Sequence, residues 1–224
     1  MSSHISLIAA DGHRLQAYVA KPPGPPRAAI VIIQEIFGVN GHIRSVADDY
    51  ASQGYWTIAP ALFDRVQPGM ELTYSKEDSA IGMKTAQEIG LDNALLDVSA
   101  ALHHAASTHH GKKVGVLGFC LGGTLAWLAA TRWRPAAAVG YYGGQISRFA
   151  QEQPTCPVLL QFGALDQHIG PEEREKIHHA HPDIPMFVYE NAGHGFNCDQ
   201  RKSFEPIAAA LARARTLEFF AAHL

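Results

Sequence analysis

Cysteine is scarce in this chain, with three among 224 residues. Cys120, Cys156 and Cys198 form no CxxC pair and no zinc-ligand spacing, which excludes a disulfide framework and a zinc ribbon. An odd number of thiols, one of them in a reactive-looking setting, points to a reducing compartment, and the cytoplasm is the expected location. There is no long run of one charge sign, and the net charge is -3. Neither nucleic acid nor an anionic membrane is therefore an expected partner. No apolar run approaches the length of a membrane span. Met1 to Ala10 lacks the basic and apolar regions of a signal peptide. Internal repeats and low-complexity segments are missing too.

What is present is a chain 47% hydrophobic and 17% charged, enough to fill the core of one α/β domain over residues 1–224. Ile5–Ala9 and Arg14–Ala20 bracket Asp11-Gly12 and read as a hairpin. Ala28–Ile33 is a continuous apolar run, the pattern of a strand covered on both faces. Further strands are expected at Tyr55–Ala59, Lys113–Leu117, Ala136–Tyr142, Pro157–Phe162 and Met186–Glu190. Helices are expected at Ile43–Gln53, Lys76–Ser107 with a break near Gly90, Pro171–Ala180 and Ser203–Ala222. In the last of these, Phe204, Ile207, Leu211, Leu217 and Phe220 are expected to form the buried stripe. Pro60–Thr73 shows no clean period. Alternating strands and helices imply a mostly parallel sheet flanked by helices on both faces, with ligands at the carboxyl ends of the strands.

Val114–Gly123 carries the strongest signal. An apolar strand runs into Gly118-Phe119-Cys120-Leu121-Gly122-Gly123, and a helical pattern follows from Thr124 to Thr131. This is the strand–elbow–helix form of a nucleophile elbow, with Cys in the nucleophile position. Taken alone, the segment also fits a buried structural cysteine in a Gly-rich turn. Two other strand ends narrow that choice. Asp166 follows the Pro157–Phe162 strand, and His194 stands between Gly193 and Gly195 after the last strand. Cys120, Asp166 and His194 thus keep the chain order nucleophile, acid, histidine of the α/β-hydrolase pattern. Imidazole can take the thiol proton, and the carboxylate holds the imidazole in the right tautomer. The backbone N–H groups of Leu121 and Ile36 are the expected oxyanion donors.

Together, Gln34-Glu35-Ile36-Phe37-Gly38-Val39-Asn40, the Cys120 elbow, Gly140-Tyr141-Tyr142-Gly143 and Ala192-Gly193-His194-Gly195-Phe196 resemble the dienelactone hydrolase (carboxymethylenebutenolidase) family. The resemblance covers nearly the whole chain. It implies a minimal α/β-hydrolase fold, a Cys-His-Asp triad and hydrolysis of an enol-lactone, with no cofactor. It also implies that Glu35 contacts the resting cysteine and takes its proton when substrate displaces it. A carboxylate beside a thiol is compatible with such a switch, because a carboxylate beside a thiolate would be repelled.

The chain departs from the family at the substrate clamp. The two arginines that hold a substrate carboxylate in the family fall here at Ser79 and Cys198, and Met83 replaces a nearby tyrosine. Lys76, Lys84, Arg65 or Arg201 could supply a cation instead. A small lactone or ester that is neutral or differently anchored is the expected substrate. Phe37, Tyr141 and Tyr142 are expected as aromatic pocket walls. The paired histidines at 103–104, 109–110 and 178–179 lack ligand spacing, so no metal is expected. Two alternatives remain: an esterase or thioesterase of other acyl groups, and a non-catalytic ligand-binding or redox-sensing relative. Of the possible oligomeric states, a monomer is favoured.

Overall fold

A computed structural model describes residues 2–224. It begins with strands β1 (Ser2–Ile8) and β2 (Arg14–Ala20), antiparallel across the Asp11-Gly12 turn. The other strands are β3 (Ala29–Ile33), β4 (Trp56–Pro60), β5 (Val114–Phe119), β6 (Ala137–Tyr141), β7 (Val158–Gly163) and β8 (Met186–Tyr189). All eight join one sheet in the order β1-β2-β4-β3-β5-β6-β7-β8. β2 meets β4 antiparallel, whereas β3 to β8 pair in parallel. Every residue of β3 to β7 is buried, which is why Ala28–Ile33 reads as an unbroken apolar run.

Burial of both strand faces needs helices on both. These are α1 (Gly41–Ser52), α2 (Lys76–Thr108), α3 (Leu121–Arg132), α4 (Pro171–Ala180) and α5 (Pro206–His223). α2 packs on α3. α5 is tied to α1 by Arg213, whose Nε and Nη2 lie 2.6 and 2.7 Å from the Asp49 carboxylate. α2 breaks at Gly90, whose φ of 71° and ψ of 161° are non-helical. That is the position where the sequence places a break, and the left-handed φ favours glycine.

The segment between β4 and α2 holds one 3₁₀ turn, Leu62–Arg65. Side chains rather than a regular ladder fix it. Arg65 bonds both Asp11 and Asp97, and the Asp64 carboxylate accepts from Gln16 N and Gly69 N. The absence of period there reflects this irregular bonding.

The expected apolar stripe on α5 is only partly buried. Ile207 is 70% exposed and Leu211 46%. The buried face is instead Ala208, Ala212, Thr216 and Phe220. Small residues let α5 approach β6 and β7 closely. The Thr216 hydroxyl then reaches the Tyr141 hydroxyl at 2.7 Å and the Gln161 amide at 2.7 Å. Two buried strand polar groups needed partners, and satisfying them set the rotation of the helix.

Candidate active site

Steric demand builds the elbow. Cys120 adopts φ 54° and ψ -112° between β5 and α3. A side chain on Gly118 would strike the Gly122 carbonyl, and one on Gly122 would strike the carbonyls of Ile33 and Gln34. Only glycine admits this approach of β5, the elbow and the β3 end. The turn is also bonded: Cys120 N–H donates to Tyr141 O at 3.0 Å, and Gly122 N–H to Gln34 O at 3.1 Å. Gln34 is pinned in turn, since its Oε1 accepts from Leu62 N–H at 3.1 Å. Tyr142 (φ 38°) is the other non-glycine residue with left-handed backbone among the described residues. Its ring lies 5.2 Å from that of His194. Backbone strain is thus concentrated on the two residues flanking this histidine.

The three strand-end residues form one chain of contacts. His194 Nε2 is 3.1 Å from Cys120 Sγ, and His194 Nδ1 is 2.8 Å from Asp166 Oδ2. The other Asp166 oxygen accepts from His168 N–H at 2.8 Å. Asp166 has a fully buried side chain. Burial works against its charge, yet the hydrogen bond from His194 holds its carboxyl below the usual range. For His194 burial again opposes charge. The Cys120 charge and the bonds to Asp166 and Cys120 outweigh it and raise the imidazole to about 10. An imidazole held this way can accept a thiol proton and remain charged beside the sulfur.

A cleft of about 360 Å³ opens above Cys120. Ile36, Cys120, Leu121 and Thr124 form its floor, α2 gives Met83, Ala86, Gln87, Gly90 and Leu91, and Gly144 with Gln145 close one end. The two expected oxyanion residues, Ile36 and Leu121, therefore line the same cleft as the thiol. Leu121 is the first residue of α3, where N–H groups have no intrahelical acceptor.

The expected aromatic walls lie elsewhere. Phe37, Tyr141 and Tyr142 are each at most 2% exposed, and none lines the cleft. Phe37 packs edge-on against Tyr74 at 4.5 Å. Tyr141 turns to Thr216, and Tyr142 packs among Phe119, Phe196 and His194. Aromatic rings at strand ends serve a core as well as a pocket, and here the core takes them.

Glu35 is buried beside this site, and both its oxygens are engaged. Oε1 accepts from Arg201 Nη1 at 3.0 Å and Oε2 from the Tyr74 hydroxyl at 3.2 Å. The Cys120 thiol meets His194 rather than Glu35 in this conformation. Asn40, the cap of α1, supports Tyr74 through an Nδ2 donation of 3.1 Å. Among the four cations proposed from sequence, Arg201 is the one that comes here. Its guanidinium lies over the Phe37 and Tyr74 rings at 5.6 and 5.5 Å and packs against Gly195, whose φ is 75°. Arg65 belongs to the Asp11–Asp97 cluster, Lys76 and Lys84 are exposed, and Ser79 bonds back to Ser75 O. Tyr74 had no sequence signal: it lies 39 residues from Glu35, between the aperiodic Pro60–Thr73 segment and the expected helix start at Lys76.

Glu35, His42 and Cys198 place one ligand-capable atom each within 4.8 Å of one another, all buried. The His42 Nε2 has no hydrogen-bond partner. Burial lowers the His42 pKa and pushes the Cys198 thiol up to about 11. A cation at this set would have to displace Arg201 from Glu35 and deprotonate a resistant thiol. The donors suit hydrogen bonding better than metal binding.

With the geometry in place, comparison with known proteins identifies the lineage. The sequence model of the dienelactone hydrolase family matches residues 15–224. This chain belongs to that family. A carboxymethylenebutenolidase of Pseudomonas putida is 34% identical over 99% of this chain and 97% of its own, and that of Pseudomonas knackmussii matches equally. A crystal structure from Klebsiella pneumoniae, described as a candidate dienelactone hydrolase, superposes with a TM-score of 0.82 at 27% identity. It covers 98% of this chain and 99% of the other. The chain is accordingly a hydrolase of the dienelactone hydrolase type with an α/β-hydrolase fold. No helix among the described residues is long and apolar enough to cross a membrane.

Proposed function

We propose that this protein hydrolyses a small carboxylic ester or lactone with Cys120 as nucleophile, through a thioacyl-enzyme. The observation that carries this reading is the unbroken Asp166–His194–Cys120 chain, with contacts of 2.8 and 3.1 Å. His194 takes the thiol proton, and the sulfur attacks the carbonyl carbon. The resulting oxyanion is received by the N–H groups of Leu121 and Ile36 at the cleft floor. His194 returns the proton to the departing alkoxide, leaving a thioester on Cys120. Water, deprotonated by His194, attacks that thioester, and Cys120 leaves as the thiol once His194 gives back the proton.

Glu35 enters this reading as a second acceptor for the resting thiol. Arg201 and Tyr74 hold it now, so the switch requires one of them to let go. Alkylation of Cys120 across pH, in the wild type and in Glu35→Gln, tests that part. A shifted profile is expected, and superimposable profiles remove Glu35 from the mechanism. The main reading is tested by turnover of an activated aryl ester, with intact-mass detection of an acyl adduct on the Cys120 peptide. Turnover that persists in Cys120→Ala rejects it.

A further inference from the structure

The cleft above Cys120 has an uncharged lining. α2 offers Met83, Ala86 and Leu91 as apolar contacts, and Gln87 is its one polar side chain there. Ile36 and Leu121 add further apolar lining. Thr124 Oγ1 is already occupied, accepting from Gln145 N–H at 3.1 Å. The nearby charges are spoken for. Arg201 is paired with Glu35 outside the lining, at 3.0 Å. Arg148 reaches the end of the cleft only by donating to Gln145 Oε1 at 3.1 Å. His194 has its charge answered by Asp166 and Cys120.

A carboxylate brought into such a cleft would lose water and find no cation, while a hydrocarbon limb would bury against Met83, Ala86 and Leu91. We infer that the substrate is an uncharged ester or lactone whose apolar limb lies along α2, and that anionic substrates are disfavoured. This rests on Cys120 being the nucleophile. The Gly90 break belongs to the same device. Gly90 itself lines the cleft where the helix breaks, and with no side chain it leaves room for that limb between Gln87 and Leu91.

The test is a matched pair: the 4-nitrophenyl ester of hexanoate and the mono-4-nitrophenyl ester of adipate, which differ by a terminal carboxylate. Each is corrected for its hydroxide-catalysed rate and for turnover by Cys120→Ala. The wild type should favour hexanoate in kcat/KM by roughly tenfold or more. Gln87→Arg, which puts a cation into the lining, should narrow that ratio several-fold. Equal or better use of the adipate ester overturns the inference, as does an unchanged ratio in Gln87→Arg. Should neither ester show Cys120-dependent turnover, the nucleophile reading fails by itself. Calorimetric binding of hexanamide and adipic monoamide to Cys120→Ser then decides the charge preference. Tighter hexanamide supports it, and tighter or equal monoamide overturns it.

Discussion

The floor and the wall of the cleft are made differently. On the floor, Cys120, Leu121 and Ile36 sit where strands end, and the elbow is fixed by backbone bonds from Cys120 N–H to Tyr141 O and from Gly122 N–H to Gln34 O. The wall is a single helix, broken at Gly90, that shows Met83 to solvent at 59% exposure. Glycine-only contacts make the floor intolerant of change. The wall is held mainly by what lies behind it, so its cleft-facing side chains are free to vary. On the mechanism proposed above, chemistry falls to the rigid part and selectivity to the permissive part.

The sharpest way to break the comparison is on the floor. Cys120→Ala should cost on the order of 10⁴-fold or more in kcat, and Asp166→Asn roughly 10⁴-fold through the wrong imidazole tautomer. Both are measured on an aryl ester. Met83→Ala, on the wall, should alter KM by only about threefold, in line with loss of a half-exposed apolar contact. A Met83→Ala loss that approached that of Asp166→Asn would erase the distinction.

Arg201→Met probes the layer behind the floor. It strands a carboxylate that is 1% exposed, and the expected destabilisation is about 3–5 kcal/mol. The double variant with Glu35→Gln should recover much of it in chemical denaturation. Failure to recover would mean that Arg201 stabilises through its stacking on Phe37 and Tyr74 instead. Gly82→Ala tests the seam of wall and floor, because a Cβ there would strike the Ile36 carbonyl. It should lower stability by about 1–3 kcal/mol and reduce kcat more than a matched change at exposed Lys84.

The remaining test is one of pH. The folded-state pKa of His194 is raised to about 10, against about 6.5 in an unfolded chain. Its contribution to stability is therefore complete below about 6.5 and is lost as pH rises through about 10. The Tm difference between wild type and His194→Gln should shrink across that window. A constant difference would mean the histidine stabilises by packing alone.

What the sequence made legible follows the same division. The elbow was readable because its glycines answer a steric demand that no other residue meets. Asp166 and His194 were readable because strand ends in a parallel sheet converge. The Glu35–Tyr74–Arg201 cluster was not, because partners 39 and 166 residues away meet only after the chain has folded. Tyr141 and Tyr142 misled for a related reason: a residue at a strand end carries no mark of which side it faces. The α5 stripe misled because hydrophobicity alone ranks Ile207 above Thr216. The interior needed a hydroxyl for Tyr141 and Gln161 more than it needed another alkyl group.

Because Gly90 interrupts α2, the two stretches are moored separately. Residues after it bury Leu95, Val98, Ala101 and Ala105, whereas those before it bury little beyond Gly82, Thr85 and Ile89. The leading stretch therefore behaves as a cassette. A segment spanning residues 76–89 could be exchanged with that of a relative, provided a glycine stays at 82, without unmooring the sheet. Descendants of such a fold could acquire new diets by swapping one short piece of chain while inheriting their chemistry intact.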